Sequence, residues 1–351
     1  MSDTMPPAER PGPTPVATFA EIRALLRHLP GPDHAAAAAA AAREAQLTKP
    51  AGALGRLEEL TQWLATWQGR HPPRLARPRV AVFAGNHGVA RRGVSAYPAE
   101  VTAQMVRNFV AGGAAVNQLC KTVDADLRVY EMALDRPTRD ITEAPALEEG
   151  ECARAMAYGM MAVEPGLDLL CLGEMGIANT TSAAALCLGL FGGEAVAWTG
   201  PGTGVGADAL ARKIDAVATA VACHGDRLGD PLQTLRHLGG HELAAIAGAI
   251  LAARLARTPV VLDGFAATAA AAVVWKLDAA LLDHCLVAHV SAEPGHRRLL
   301  AALGKMPLLD LGMRLGEASG AALAVAVLKA ALACHVGMAT FEEAGVSGKS
   351  G

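Results

Sequence analysis

The feature that most limits how this chain can fold is a recurring pair: a short, continuous apolar run followed at once by glycine and polar residues. Such runs occur at Val80–Gly85, Leu127–Met132, Leu167–Gly173, Ala195–Gly200, Pro259–Gly264 and Cys285–Ser291. Their length and aliphatic character suit strands covered on both faces. Alanine-rich helical stretches separate most of them. The alternation predicts an α/β fold built on a doubly wound, mostly parallel sheet of six strands, with helices on both faces. Open sheets of this kind bind ligands at the carboxyl ends of their strands. The loops Gly85-Asn86-His87-Gly88, Gly173-Glu174-Met175-Gly176, Thr199 to Gly204, Asp263-Gly264 and Ser291 to Gly295 are therefore expected to converge on one crevice.

Before the first strand, residues 18 to 70 read as helical: Glu21 to His28, the alanine run from Ala35 to Ala42 continuing to Gln46, and Leu54 to Trp67. A loop rich in Pro and Gly, from Leu47 to Gly55, divides the last two. At the other end, Gly320 to about His335 reads as a helix, with Ser319 as a plausible N-cap. The expected divisions are a disordered tail at 1–17, a helical segment at 18–70, an α/β body at 71–312, and a loop, helix and tail at 313–351. With 52% hydrophobic residues and 19% charged ones, a large core is available, and with only 4% aromatics it must be aliphatic.

Net charge of −3 and the lack of any long basic block argue against nucleic acid as a partner. The seven cysteines include no C-x-x-C pair and mostly sit in apolar runs, which fits core positions in a reducing, cytoplasmic compartment. The proline-rich, acidic N-terminus lacks the layout of a secretory signal. The longest stretch without charge, Met175 to Gly193, carries Asn179, Thr180, Thr181 and Ser182, which are costly in lipid, so no membrane span is expected.

Three loops carry candidate chemistry. The first, Thr199-Gly-Pro-Gly-Thr-Gly-Val-Gly-Ala-Asp, is read as leaving a strand and opening a helix that contains Lys213, an arrangement that offers backbone N–H groups and a positive helix end to a phosphate. Gly202, Gly204 and Ala207 also match the dinucleotide fingerprint, but the required acidic strand end about 20 residues on is replaced by the loop after His224. A plain tight turn is the third reading. In the second loop, Glu174 ends an apolar strand and precedes a glycine turn, with Asn179 or a threonine available as N-cap; ligand contact competes with capping alone.

Glu317, in the third loop, stands between Gly316 and Gly320 near a helix start, where a carboxylate either complements the helix dipole or serves as a catalytic base. His87, His289 and His241 are candidate ligands in name only, because no H-x-x-H or cysteine pair accompanies them and no metal is expected. The cluster at Gly295-His296-Arg297-Arg298 reads as a solvated helix start.

Six stretches together resemble one family, the nicotinate-nucleotide:dimethylbenzimidazole phosphoribosyltransferases of cobalamin nucleotide-loop assembly. They are Lys-Pro-Ala-Gly-Ala-Leu-Gly-Arg-Leu-Glu (49–58), Asn-His-Gly-Val with Gly-Val-Ser-Ala-Tyr-Pro (86–98), Gly-Glu-Met-Gly-Ile-Ala-Asn-Thr-Thr (173–181), Thr-Gly-Pro-Gly-Thr-Gly (199–204), Val-Leu-Asp-Gly-Phe (261–265) and Leu-Gly-Met-Arg-Leu-Gly-Glu (311–317). Asn86, Ala53, Ala178 and Ala318 depart from the residues common there, which are Asp, Ser, Gly and Gly.

The resemblance implies a Rossmann-like three-layer fold, a small helical domain built from both chain ends, and a homodimer. It also implies transfer of ribose 5-phosphate from nicotinate mononucleotide to 5,6-dimethylbenzimidazole, with no cofactor and no metal. Glu317 then matches the catalytic base. The positions carried over as substrate-binding are Glu174, Gly176, Asn179 and Thr180; Gly202, Thr203, Gly204, Lys213 and Ser291 around the phosphate; and Asp263, Leu315 and Gly316. Two other functions compete: an NAD-dependent oxidoreductase resting on Gly202 and Gly204, and a nucleotide- or base-binding protein without turnover.

Overall fold

The computed structural model describes residues 18–347, so the tail expected at 1–17 and the last residues from 348 lie outside the described residues. Six strands form one all-parallel sheet: β1 (Pro78–Ala84), β2 (Asp126–Glu131), β3 (Leu169–Met175), β4 (Val260–Leu262), β5 (Cys285–His289) and β6 (Pro307–Leu309). Their order is β2-β1-β3-β4-β5-β6. The chain thus runs outward from β1 to β2 and then returns to the other side of β1, making the β1/β3 junction the switch point where a crevice opens.

The strand count matches the expectation, but one member differs. Ala195–Gly200 is not a strand; Ala195–Trp198 forms a short helix, and Trp198 is buried against the Phe191 ring. Two alanines in four residues favour a helical turn. The sixth strand is Pro307–Leu309, only three residues long and half-buried, too short to register as an apolar run. Burial follows position. β1 is buried at every residue, while the edge strand β2 alternates and carries Asp126, Arg128 and Glu131, charges that discourage further strand pairing.

The helices nearest the sheet owe their composition to being covered all round. His241–Leu255 and Phe265–Leu277 are buried along nearly their whole length. His241–Leu255 crosses Glu149–Met160 with backbones in direct contact, since a Cβ at Gly159 would lie 1.9 Å from the Ala245 carbonyl oxygen and one at Gly248 1.9 Å from that of Met156. Only glycine fits at either point.

The Ser319–Gly337 helix is long and apolar enough to cross a membrane by length and composition. Here Ala321, Ala324, Val325 and Leu328 instead share a core with Val80, Cys171 and Val261 of the sheet and with Leu60 and Leu64 of the Arg56–Gln68 helix. The two chain ends meet where Leu47 bridges Thr340 and where His335 Nδ1 lies 2.6 Å from Glu44 Oε2. Lys49 completes this cluster, 2.7 Å from Glu58 and 3.1 Å from Glu44. The stretch from Met175 to Gly193 supplies the buried Asn179–Phe191 helix.

Candidate active site

A cleft opens at the carboxyl ends of β3, β4 and β5, where open α/β sheets bind their ligands. Glu174, the penultimate residue of β3, sits on its wall with Gly176, Asn179 and Thr180. The loop is tight because the switch point demands it: a Cβ at Gly176 would approach the Gly85 carbonyl oxygen to 2.5 Å. Asn179 does not cap its helix. The N-cap is Ala178, held left-handed at φ 73° with no side-chain cap, and the Asn179 amide donates to the Glu174 carboxylate instead. Burial pushes the Glu174 carboxyl well above its ordinary range, and Asp263, Glu242 and Glu317 add to the push.

Glu317 reaches this region through three successive left-handed residues, Gly316 (φ 80°), Glu317 (φ 60°) and Ala318 (φ 58°). Non-glycine residues in that conformation cost about 1–2 kcal/mol each, so the turn must be held by its surroundings. The Glu317 N–H donates to the Glu174 carbonyl oxygen at 3.1 Å, stitching the turn to β3. Ser319 is not the N-cap that its position suggests; its hydroxyl donates back to the Gly316 carbonyl oxygen at 2.6 Å. The capping oxygen comes from Asp263, whose Oδ1 accepts from the Ala321 N–H at 2.9 Å across the fold. A glycine at 320 is obligatory, since a Cβ there would sit 2.1 Å from His289 Cδ2.

Asp263 is therefore spent on the helix and does not line the cleft. It is 1% exposed, and burial lifts its pKa to about 6 against the opposing pull of His289 and of the helix N–H groups. Glu317 is 5% exposed, and among the described residues no side-chain hydrogen bond holds its carboxylate. Burial first, and the Asp263 charge second, raise its pKa to about 7. Leu315 and Gly316 line the cleft, Leu315 half exposed, whereas Glu317 lies just behind the lining, next to Gly316.

The opposite end of the cleft is cationic. Lys213, on the Ala207–His224 helix, is 1% exposed and donates to Thr180 Oγ1 and to the Gly200 carbonyl oxygen, both at 2.9 Å. Burial lowers its pKa to about 8, with the Glu293 charge acting in the other direction. Gly202 (φ 58°) and Gly204 (φ 116°) make the turn that precedes this helix. A Cβ at Gly202 would lie 3.3 Å from Lys213 Nζ, so glycine keeps the ammonium reachable. Arg314 Nη1 donates to the Gly202 carbonyl oxygen at 2.8 Å, bringing a second cation over the turn.

Gly202 and Thr203 line the cleft, whereas Gly204 does not. The glycine turn follows a helix and not the expected strand, which removes the strand–turn–helix context that a dinucleotide fingerprint requires. Ser291 also lines the cleft; its hydroxyl accepts from the Glu293 N–H at 3.3 Å and keeps its own proton to donate.

Residue-by-residue reading missed several cleft residues: Ser95, Phe265, Glu293 and Arg314. All four lie within or beside loops singled out at strand ends or within the six family-like stretches, but nothing in their spacing marks them; His289, weighed only as a metal ligand, lines the cleft as well. His87 and His241 are elsewhere. His87 is buried between Glu242 Oε1 at 2.6 Å and Ser182 Oγ at 3.0 Å, and His241 pairs with Glu151 at 2.9 Å. His296 is not solvated as expected: it is fully buried and accepts from the Ser291 N–H at 2.8 Å, while Arg297 is exposed and pairs with Asp310. Among the described residues no group of three or more His, Cys, Asp or Glu side chains is arranged to hold a metal ion.

Residues 29–346 match the family model described as phosphoribosyltransferase. The chain is 63% identical over 331 residues to the nicotinate-nucleotide–dimethylbenzimidazole phosphoribosyltransferase of Sinorhizobium medicae, covering 94% of this chain and 98% of that one. It is 62% identical over 328 residues to the Agrobacterium fabrum protein of the same name, covering 93% and 95%. Among solved structures, CobT from Thermus thermophilus superimposes with a TM-score of 0.84 at 45% identity, covering 90% of this chain and 99% of that one. On both sequence and fold, the chain belongs to the nicotinate-nucleotide–dimethylbenzimidazole phosphoribosyltransferase family.

Proposed function

We propose that this enzyme, a pentosyltransferase, moves ribose 5-phosphate from nicotinate mononucleotide to 5,6-dimethylbenzimidazole, giving α-ribazole 5′-phosphate and nicotinate, with Glu317 as the base. The observation that carries the reading is a buried carboxylate with no hydrogen-bonded partner and a pKa raised to about 7, beside a cleft whose far end gathers Lys213, Arg314 and the Gly202 turn. The two ends match the two halves of the reaction.

In the step itself, the bond between ribose C1′ and the pyridinium nitrogen breaks and its electron pair returns to the ring, so the leaving group departs as neutral pyridine carrying its carboxylate. The unprotonated benzimidazole nitrogen attacks C1′ from the opposite face, which inverts the anomeric centre from β to α. As that bond forms, the remaining ring N–H turns acidic and its proton passes to Glu317, a base whose pKa near neutrality suits the task. Lys213, Thr203, Ser291 and the N–H groups about Gly202 and Gly204 hold the phosphate. Glu174, biased toward its protonated form and oriented by Asn179, contacts the nucleotide together with Gly176 and Thr180. Leu315 and Gly316 bound the base-binding end, and Asp263 keeps the Glu317 turn on its helix.

The same reading takes residues 71–312 as the nucleotide- and base-binding domain, with 18–70 and 313–351 forming a small helical domain, and places the enzyme in the cytoplasm as a homodimer that needs no cofactor. The test is direct: purified protein, nicotinate mononucleotide and dimethylbenzimidazole in chelator-treated buffer, followed for nicotinate and α-ribazole 5′-phosphate. Equimolar appearance of both is expected, and the absence of both from folded protein would reject the reading.

A further inference from the structure

Among the described residues, Glu293 alone has two side-chain oxygens that are both buried and both without a hydrogen-bond partner. It is 3% exposed and lines the same cleft as Lys213 and Ser291. A carboxylate withdrawn from water with no donor is costly, and native folds keep one only where something else supplies the donors. The neighbours do not supply them. Lys213 bonds to Thr180 and Gly200, and the Glu293 backbone N–H is turned to Ser291 Oγ. The fold nevertheless makes room for the group: a Cβ at Gly200 would fall 2.5 Å from Glu293 Oε2. The missing donors must then come from the occupant of the cleft.

On the transfer reading, on which this inference rests, the donors available are few. Nicotinate mononucleotide near neutral pH carries a phosphate, a ring carboxylate and a cationic ring without N–H; its only hydrogen-bond donors are the 2′- and 3′-hydroxyls of ribose. The benzimidazole N–H is already matched to Glu317. The phosphate goes to the Lys213 ammonium and the turn at Gly202, and the hydroxyls of the adjoining ribose are the donors left for the neighbouring Glu293 carboxylate, since phosphate and carboxylate in direct contact repel. We propose that Glu293 accepts the ribose 2′- and 3′-hydroxyls and thereby makes the cleft selective for ribosyl over deoxyribosyl donors. A site built to pair a substrate hydroxyl rejects the analogue lacking it, because its own polar group is then left buried and unpaired.

The test measures equilibrium binding of nicotinate mononucleotide and its 2′-deoxy and 3′-deoxy analogues by calorimetry, without acceptor, to the full-length protein and to Glu293→Gln and Glu293→Ala. Binding avoids the altered glycosidic lability that a missing 2′-hydroxyl brings. The wild-type protein is expected to bind at least one deoxy analogue about 10- to 100-fold more weakly, the range for loss of a charge-assisted hydrogen bond. In Glu293→Ala that preference should collapse to within about threefold, and Glu293→Gln, which keeps one acceptor and the volume, should retain part of it. Equal weakening of all three nucleotides by Glu293→Ala would overturn the proposal, as would a wild-type protein indifferent to the hydroxyls. Nicotinate release from wild-type protein supplied with acceptor is read separately, so a failed transferase reading is not confused with a failed role for Glu293.

Discussion

At the level of single residues, the site works by withholding partners. Glu317 could have been neutralised by a nearby cation; it stands instead in a buried turn where the charges that interact with it, among the described residues, are those of carboxylates, Asp263 and Glu174. Its raised pKa means that the folded protein binds this proton more tightly than the unfolded chain does. The sign follows: any stability linked to that proton is fully present below the ordinary carboxyl range and is lost as pH rises through about 7. Glu317→Gln should therefore melt with wild type near pH 4 and above it at pH 8, a divergence that parallel thermal melts across that range would reveal and that identical curves would contradict. Lys213 makes the opposite case, a buried cation held at the cleft by Thr180 and the Gly200 carbonyl oxygen. Lys213→Met should raise KM for the nucleotide by about 10- to 100-fold, the range for a lost charge-assisted hydrogen bond, with a smaller effect on KM for dimethylbenzimidazole. Steady-state kinetics in each substrate would decide it.

Among the elements, the Ser319–Gly337 helix does two jobs at once: its flank completes the sheet's core and its first turn aims Glu317. The two are joined by Asp263, which caps the helix from the end of β4. Asp263→Ala removes the cap and the buried charge together. It should cost about 0.5–2 kcal/mol of stability, as loss of an N-cap does, and move the acidic limb of the pH–rate profile to lower pH, because the Asp263 charge helps raise Glu317. A melt and a pH profile on the same variant separate the two effects. Where Glu149–Met160 meets His241–Leu255 there is no such slack. Gly248→Ala would drive a methyl into the Met156 carbonyl and should destabilise by at least about 1–3 kcal/mol, read as a lowered Tm.

The elements also mark where sequence reading succeeded. Val80–Gly85 and Cys285–Ser291 were plain because a strand covered on both faces must be continuously apolar. Ala195–Gly200 showed the same signal for a different reason, since a buried helical turn beside Trp198 is equally apolar, and Pro307–Leu309 showed none because a short edge strand buries little. Caps misled for a related cause. Ala178 and Ala318 hold left-handed N-cap positions that no local pattern announces, and Asp263 acts from far along the chain.

On the scale of the whole molecule, the strand order explains why residues from so many segments meet. The loops after β3, β4 and β5, neighbours in the sheet, open on one side, so Glu174, Ser291, Gly202 and Thr203 share one cleft although more than a hundred residues separate the first from the second. That convergence could be anticipated from the glycine-terminated runs for four of the five loops; the Gly85–Gly88 loop, also expected there, does not line the cleft, and its His87 is buried between Glu242 and Ser182. The division of roles among the carboxylates in and around the cleft could not be anticipated. Which carboxylate caps a helix, which is held by an amide and which is left unpaired depends on side-chain placement, and Glu174, Asp263, Glu293 and Glu317 look alike as letters. Their separation into roles is the main thing the folded chain adds.

The most direct test of the account is the pH dependence of nicotinate release from nicotinate mononucleotide and dimethylbenzimidazole, compared between wild type and Glu317→Gln. Wild-type kcat/KM should fall with unit slope as pH drops below about 7, where Glu317 gains its proton and can no longer accept the benzimidazole's. The variant should fold normally, run roughly 10²- to 10⁴-fold slower above that pH, and lose the fall near pH 7, keeping only the one at lower pH that protonation of the benzimidazole itself imposes. Near-wild-type turnover in the variant, or an unchanged acidic limb, would contradict the assignment.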